Sequence, residues 1–243
     1  MRIIFGRWTR DLLDNVIREA SKIKAPGARI NCLSEQFLGL DYKESTLTGD
    51  ANTPEIYVIN LEGVDCFTFI DYVEAMRLSG TFSEFLENLK SVRYSSGEVS
   101  FKNRNHFFAD WVEFNPDFVY DVTEKIGGHK TRKVIKMLNQ RKDRTYFLPG
   151  IQPRQREIRY IPSDAIDDSV IKKLKTGDYA GIYTNKEGLD VSHVGIIIRK
   201  AGTIYLRHAS SHKKKVIDQN FIDYISGKPG LIILRPKNIL RRL

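Results

Sequence analysis

Apolar residues recur at helical spacing early in the chain and at strand spacing late in it. From Thr9 to Ile23, Leu12, Leu13, Val16, Ile17, Ala20 and Ile23 form one stripe, with Thr9 as N-cap and Pro26-Gly27 as a stop. A polar stretch from about Tyr42 to Pro54 leads into a β-rich run, Glu55 to Leu61. A helix is predicted from Cys66 to about Ser79. A second, about Ser83 to Val92, is capped by Ser83 and ended by Ser95-Ser96-Gly97. The middle, Val99 to Pro162, is mixed and rich in aromatic residues. The last third carries four short apolar runs, GDYAGIYT, HVGIII, TIYLRHA and LIILR, divided by turn residues, which predicts an antiparallel sheet. With no repeat and no low-complexity linker, the pattern predicts one α+β domain over 1–243, helical to about 160 and strand-rich from about 161.

Composition narrows this picture little. The chain has 39 Lys+Arg against 30 Asp+Glu, a net charge of +9, which suits nucleic acid, anionic lipid or an acidic wall polymer. Seven of the bases lie between Lys130 and Arg144 in HKTRKVIKMLNQRKDR, which reads as a solvated helix face. No aromatic interleaving or known module supports a nucleic-acid partner. HKKK, His212 to Lys215, reads as a solvated loop. Cys32 and Cys66 are too few for a disulfide framework and lack metal-type spacing, so no metal or other cofactor is implied. No apolar run approaches the ~20 residues of a membrane span. The opening MRIIFGRWTRDLLDN lacks the apolar segment of ~7–15 residues that a signal peptide needs.

The chemistry concentrates in VDCFTFIDYVEAM. With Asp65 as N-cap, Cys66 becomes the first helical residue, and Ile70 and Val73 follow on its face. Free N–H groups and the macrodipole at that end favour a thiolate and donate to an oxyanion, whereas Asp65 opposes the thiolate. A basic partner is therefore required. The alternative is a small core cysteine, which is also the reading of Cys32.

His193 in SHVGIII and His208 in TIYLRHA supply that partner. A hairpin centred between Lys200 and Ala201 sets the two histidines opposite one another, with Cβ atoms roughly 4.5–5.5 Å apart. A slip of one residue would put them on opposite faces. His193 would take the thiol proton, and His208 would fix its tautomer. Gly195 would leave room beside the imidazole. Two strand histidines without chemistry, or a Cys/His/His zinc site, are the competing readings.

A DC step opening a helix, a distant HVGI strand and a second His on the next strand resemble the NlpC-type cell-wall cysteine peptidases. The ordered set VDCFTFIDYVEAM, SFKNRNHFFADW, VYDVTEKIGG, IRYIPSDAI with KTGDYAGI, and LDVSHVGIII is similar to the N-acetylmuramoyl-L-alanine amidase-like branch, from about Phe37 onward. The resemblance implies a papain-like fold with a central nucleophile helix on an antiparallel sheet and extra N-terminal and middle helices. It implies Cys66, His193 and His208 as the site. The expected reaction cuts the amide between N-acetylmuramic acid, in its 1,6-anhydro form, and L-alanine. The wider superfamily cuts a γ-D-glutamyl bond to a diamino acid. A non-catalytic basic binding module is the reading from another class.

RNHFFADW adds Arg104, Asn105, His106, Asp110 and Trp111, which with Asp65 form an expected substrate wall: Arg for a carboxylate, Trp for a sugar ring. The alternative is a buried anchor with Arg104 paired to Asp110. Asp190, shortly before His193, shapes a turn or touches the site. The expected partner is a muropeptide, met by a monomer in the periplasm or cell envelope, although the chain shows no export signal and a cytoplasmic site stays open.

Overall fold

The computed structural model describes residues 1–238. The chain opens with β1 (Arg2–Ile4), α1 (Arg10–Ser21), α2 (Pro26–Glu35), β2 (Asp41–Tyr42), β3 (Val58–Asn60), β4 (Gly63–Val64), α3 (Cys66–Leu78) and α4 (Phe82–Arg93). Next come α5 (Phe108–Phe114), β5 (Val119–Asp121), α6 (Thr123–Gly127), β6 (Arg132–Leu138), β7 (Arg154–Pro162) and α7 (Asp168–Ile171). The last part holds β8 (Tyr179–Tyr183), β9 (Val191–Lys200), β10 (Thr203–Ser210), β11 (Lys215–Asn220), α8 (Phe221–Ile225) and β12 (Gly230–Pro236). The result is an α+β fold.

The main sheet runs β4-β2-β11-β10-β9-β8-β12-β7-β6, and β5 also pairs with β12. Its pairs are antiparallel apart from β2 with β4. Helix α3 lies against α1, α2 and α4 on one side and β9 and β10 on the other. It is buried from Thr68 to Arg77, all round rather than along one stripe. Phe69, Ile70, Val73 and Met76 fill the core, each contributing about 1.5–3 kcal/mol by leaving water. The charged residues of this helix are matched within the core. Asp71 accepts from Arg93 Nε at 3.1 Å, and Glu74 accepts from Arg77 Nη2 at 2.6 Å and from the Tyr179 hydroxyl at 2.6 Å. Removing one partner of such a pair leaves a buried charge alone, at a cost of about 3–5 kcal/mol.

Local signals placed most elements, with four corrections. Pro26 ends the α1 connection but also opens α2, since a missing N–H costs nothing at the first helical position. The cap of α4 is Thr81, whose hydroxyl accepts from Glu84 N at 3.1 Å, not Ser83. The basic run expected on a helix supplies β6, which pairs with β7 from Arg132↔Tyr160 to Leu138↔Arg154, so strands begin well before residue 161. Lys136 is buried there because its ammonium donates to the carbonyls of Thr184, Lys186 and Leu189, closing the loop that enters β9. Finally, the β9–β10 register pairs Lys200 with Thr203, two residues along from the expected register. Its two-residue turn, Ala201-Gly202, has φ of 48° and 79°, the positive pair that matches strand twist in tight hairpins. An even shift keeps both histidines on one face.

Candidate active site

Asp65 fixes the start of α3. Its carboxylate accepts from Phe67 N at 3.0 Å and Thr68 N at 2.7 Å, while Thr68 Oγ1 accepts from Asp65 N at 3.0 Å. This reciprocal cap pins the backbone on either side of Cys66. It also engages two of the N–H groups expected for an oxyanion, leaving the Cys66 amide as the donor at the helix start. The thiol is half-buried. Val194 N–H, next to His193 in β9, interacts with its sulfur, and Tyr42 and Tyr224 lie close enough to sense its charge.

The imidazoles meet as a chain. His193 Nε2 and His208 Nδ1 are 2.7 Å apart with the rings at 90°, and His208 Nε2 lies 3.3 Å from Gln219 Oε1. An amide oxygen only accepts, so His208 carries its proton on Nε2 and presents a bare Nδ1. His193 therefore donates through Nε2–H, and its Nδ1 keeps a lone pair for a proton. Gly195 makes the approach feasible: a Cβ there would stand 3.0 Å from His208 Cβ and 2.9 Å from Arg207 O. Arg207 anchors the same strand, paired with Asp218 at 2.7 Å and donating to Asn31 O at 3.1 Å on α2. The ring of Tyr224 lies 6.1 Å from that of His193 and 5.0 Å from that of His208.

The electrostatics set burial and Asp65 against the helix terminus. Burial, then the charge of Asp65, pushes the Cys66 thiol up to about 12, against the opposing pull of nearby N–H groups. Burial, then His208 and the nearby bases, lowers His193 to about 3. Burial likewise lowers His208 to about 4, opposed by Gln219 and Asp218. Desolvation of both groups thus favours thiol and neutral imidazole over thiolate and imidazolium, against the pull of the helix terminus.

The expected substrate wall divides. Asp65 and Arg104 line a groove of about 830 Å³ with the 45–53 loop, Phe101 and Phe147. Arg104 pairs there with Glu55 rather than Asp110 and stands 5.2 Å over Phe101. Asn105, Asp110 and Trp111 are buried at 4%, 3% and 1% exposure, which removes them from any wall. Asn105 donates to Val92 O at 2.9 Å; Trp111 packs edge-on to Tyr179 with centroids 5.0 Å apart. Asp110 accepts from His106 N and Phe107 N, each at 3.1 Å. His106 is occupied by Phe101 O at 2.8 Å, and burial lowers it to about 4. Asp190 is tied to the same helix start, accepting from Ala109 N at 2.7 Å and Val191 N at 2.8 Å. Gln219, Tyr224 and Tyr42 had no local mark in the sequence. Gln219 was accessible only through register, since β11 sets Leu206 against it.

No group of three or more His, Cys, Asp or Glu among the described residues is arranged to hold a metal ion. No helix among them is long and apolar enough to cross a membrane. With this geometry in hand, known proteins add an identity. The family model described as AmiA-like, N-acetylmuramoyl-L-alanine amidase-like, matches residues 32–231, and the chain belongs to that family. No curated protein matches it. An N-acetylmuramoyl-L-alanine amidase from Bacteroides uniformis is 28% identical with a TM-score of 0.73, covering 87% of this chain and 99% of that one. A protein from Legionella pneumophila has a TM-score of 0.78 at 22% identity, over 93% of this chain and 94% of its own, a likeness of fold.

Proposed function

We propose that this member of the family is a cysteine amidase of papain-like, NlpC-type design, cutting the amide between N-acetylmuramic acid and L-alanine in peptidoglycan fragments. The observation that carries the reading is the Gln219–His208–His193 chain, which leaves one ring nitrogen unengaged beside the strand residue that contacts the Cys66 sulfur. Family membership and the Bacteroides relative favour the amidase over the γ-D-glutamyl endopeptidase.

The raised thiol and lowered imidazole dictate the order of events. His193 Nδ1 takes the proton as Cys66 sulfur attacks the lactyl carbonyl, so charge develops only when substrate is present. The Cys66 amide donates to the oxyanion, and His208 accepts from the imidazolium without acquiring charge. His193 then gives the proton to the leaving nitrogen of L-alanine, which departs as the amine and leaves a thioester. Water, deprotonated by His193, attacks that thioester, releasing the muramyl acid and restoring the thiol. On this reading the protein meets its substrate in the periplasm or cell envelope.

Mass spectrometry of digested muropeptides tests the proposal. The expected products are a sugar with a free lactyl acid and a peptide beginning at L-alanine. A sugar still joined to L-Ala-D-Glu would show the endopeptidase instead.

A further inference from the structure

Both histidines also line a cavity of about 450 Å³ on the side of α8. Its wall brings together His212, Lys213 and Lys228 with the hydroxyls of Ser192 and Ser210, against one carboxylate, Asp223. None of these three bases forms an ion pair among the described residues. Lys228 Nζ stands 5.6 Å over the ring of Tyr224, which itself flanks His208. His212 and Lys228 are near enough to His193 to oppose its protonation. The HKKK segment is the exposed loop that the sequence suggested over His212 to Lys214, and its His212 and Lys213 border the cavity beside the imidazoles.

The direction of proton transfer decides which half of a substrate lies here. On the amidase reading the leaving nitrogen takes its proton from His193, which lines this cavity, so the departing peptide is assigned here and the acyl half to the groove that Asp65 lines. Resting on the amidase reading, we propose that the cavity is an acidic-peptide subsite, in which His212, Lys213 and Lys228 bind the carboxylates of the leaving stem peptide. Lysine ammonium groups serve this as point charges. Because the bases are exposed, their pull is screened by salt.

Calorimetric titration of L-Ala-D-Glu-diamino acid peptide into the full chain tests this, with the peptide as free acid and with its carboxylates amidated. The free acid is expected to bind at least tenfold more tightly, with the advantage shrinking as salt rises. In K213A/K228A, and in K213Q/K228Q as a second variant of similar bulk, the ratio falls to near one. Equal affinities for the wild type, no binding of either peptide, or an undiminished ratio in the folded double variants overturns the subsite. A muropeptide digest separates this from the underlying reading. A protein that prefers the acid peptide yet cuts no muropeptide keeps the subsite and loses the amidase; one that cuts acid and amidated forms equally keeps the amidase and loses the subsite.

Discussion

The N-termini of α3 and α5 are built from similar parts. Each has an aspartate capping the helix, an imidazole nearby and aromatic rings packed around it. At α5 the groups turn inward: His106 meets a carbonyl, Asp110 and Asp190 accept from backbone amides, and Trp111 lies within the core, with Asp110 Oδ1 and Trp111 Nε1 buried without a hydrogen-bond partner among the described residues. At α3 the hydrogen-bond chain instead runs from Gln219 through both imidazoles, which line a cavity, and His193 precedes Val194, whose N–H interacts with the Cys66 sulfur. Residue type does not separate the two ends; on the proposed function, what sets the α3 end apart is that its imidazoles border a cavity.

The largest effect expected to separate the two ends is that of Cys66→Ala. It should lower kcat/KM on a muropeptide by ~10⁴-fold or more, with circular dichroism and melting temperature nearly unchanged. A folded, active Cys66→Ala protein would end the thiol mechanism. Trp111→Ala should give the mirror image, about 3–5 kcal/mol less stable in urea titration, with kcat/KM per folded molecule held within a few-fold. A selective loss of activity without loss of stability would return Trp111 to the substrate wall.

Gln219→Leu should reduce kcat by roughly 10²-fold, since it frees the tautomer of His208 without removing the base. Gln219→Glu places a carboxylate where the amide oxygen was, which favours imidazolium and raises the pKa of His208. In the wild type, neutral His193 persists down to about 3, so kcat/KM should stay level through neutral pH and fall only in strong acid. The acid limb of Gln219→Glu should lie at higher pH, as a stopped pH–rate series would show. The smallest effect concerns Asp65. Asp65→Asn retains a capping oxygen but removes the charge, so the thiol pKa falls and iodoacetamide alkylation at pH 7 accelerates. The accompanying loss of stability should stay below about 2 kcal/mol.

The histidines also leave a mark on stability. His193, His208 and His106 have pKa values depressed by burial, so the unfolded chain binds more protons than the native one as pH drops below the ordinary histidine value. Asp71 and Asp190, pushed up to about 6, oppose this by taking protons in the native state. Asp110, also raised by burial, opposes it too, but the imidazoles are displaced further, so urea midpoints should decline from pH 6.5 toward pH 4.

What the sequence showed was what short-range rules govern. Thr9 and Asp65 announced their helices, and alternation around His193 and His208 put both on one face even though the turn lay one position along. The rest depended on distant partners. The alternation of Val134, Lys136 and Leu138 was masked by charge, and Lys136 is inward only because three carbonyls from another loop receive it. Asn105, Asp110 and Trp111 looked like binding residues because polarity and aromaticity suit both a groove and a buried core. Gln219 had no signal of its own until strand register placed it beside His208.

The tight turn at Ala201-Gly202 has a further consequence for how this protein would fail. The two imidazoles sit only 15 positions apart along one ribbon, whereas the sulfur comes from more than a hundred residues upstream. Bringing the sulfur in carries about 2 kcal/mol more chain-closure entropy than joining the rings. Under mild heat or denaturant, we expect the Cys66 sulfur to drift away while the rings remain paired, so that, on the proposed function, activity fades before the ribbon melts; activity and histidine NMR signals followed together would show that order.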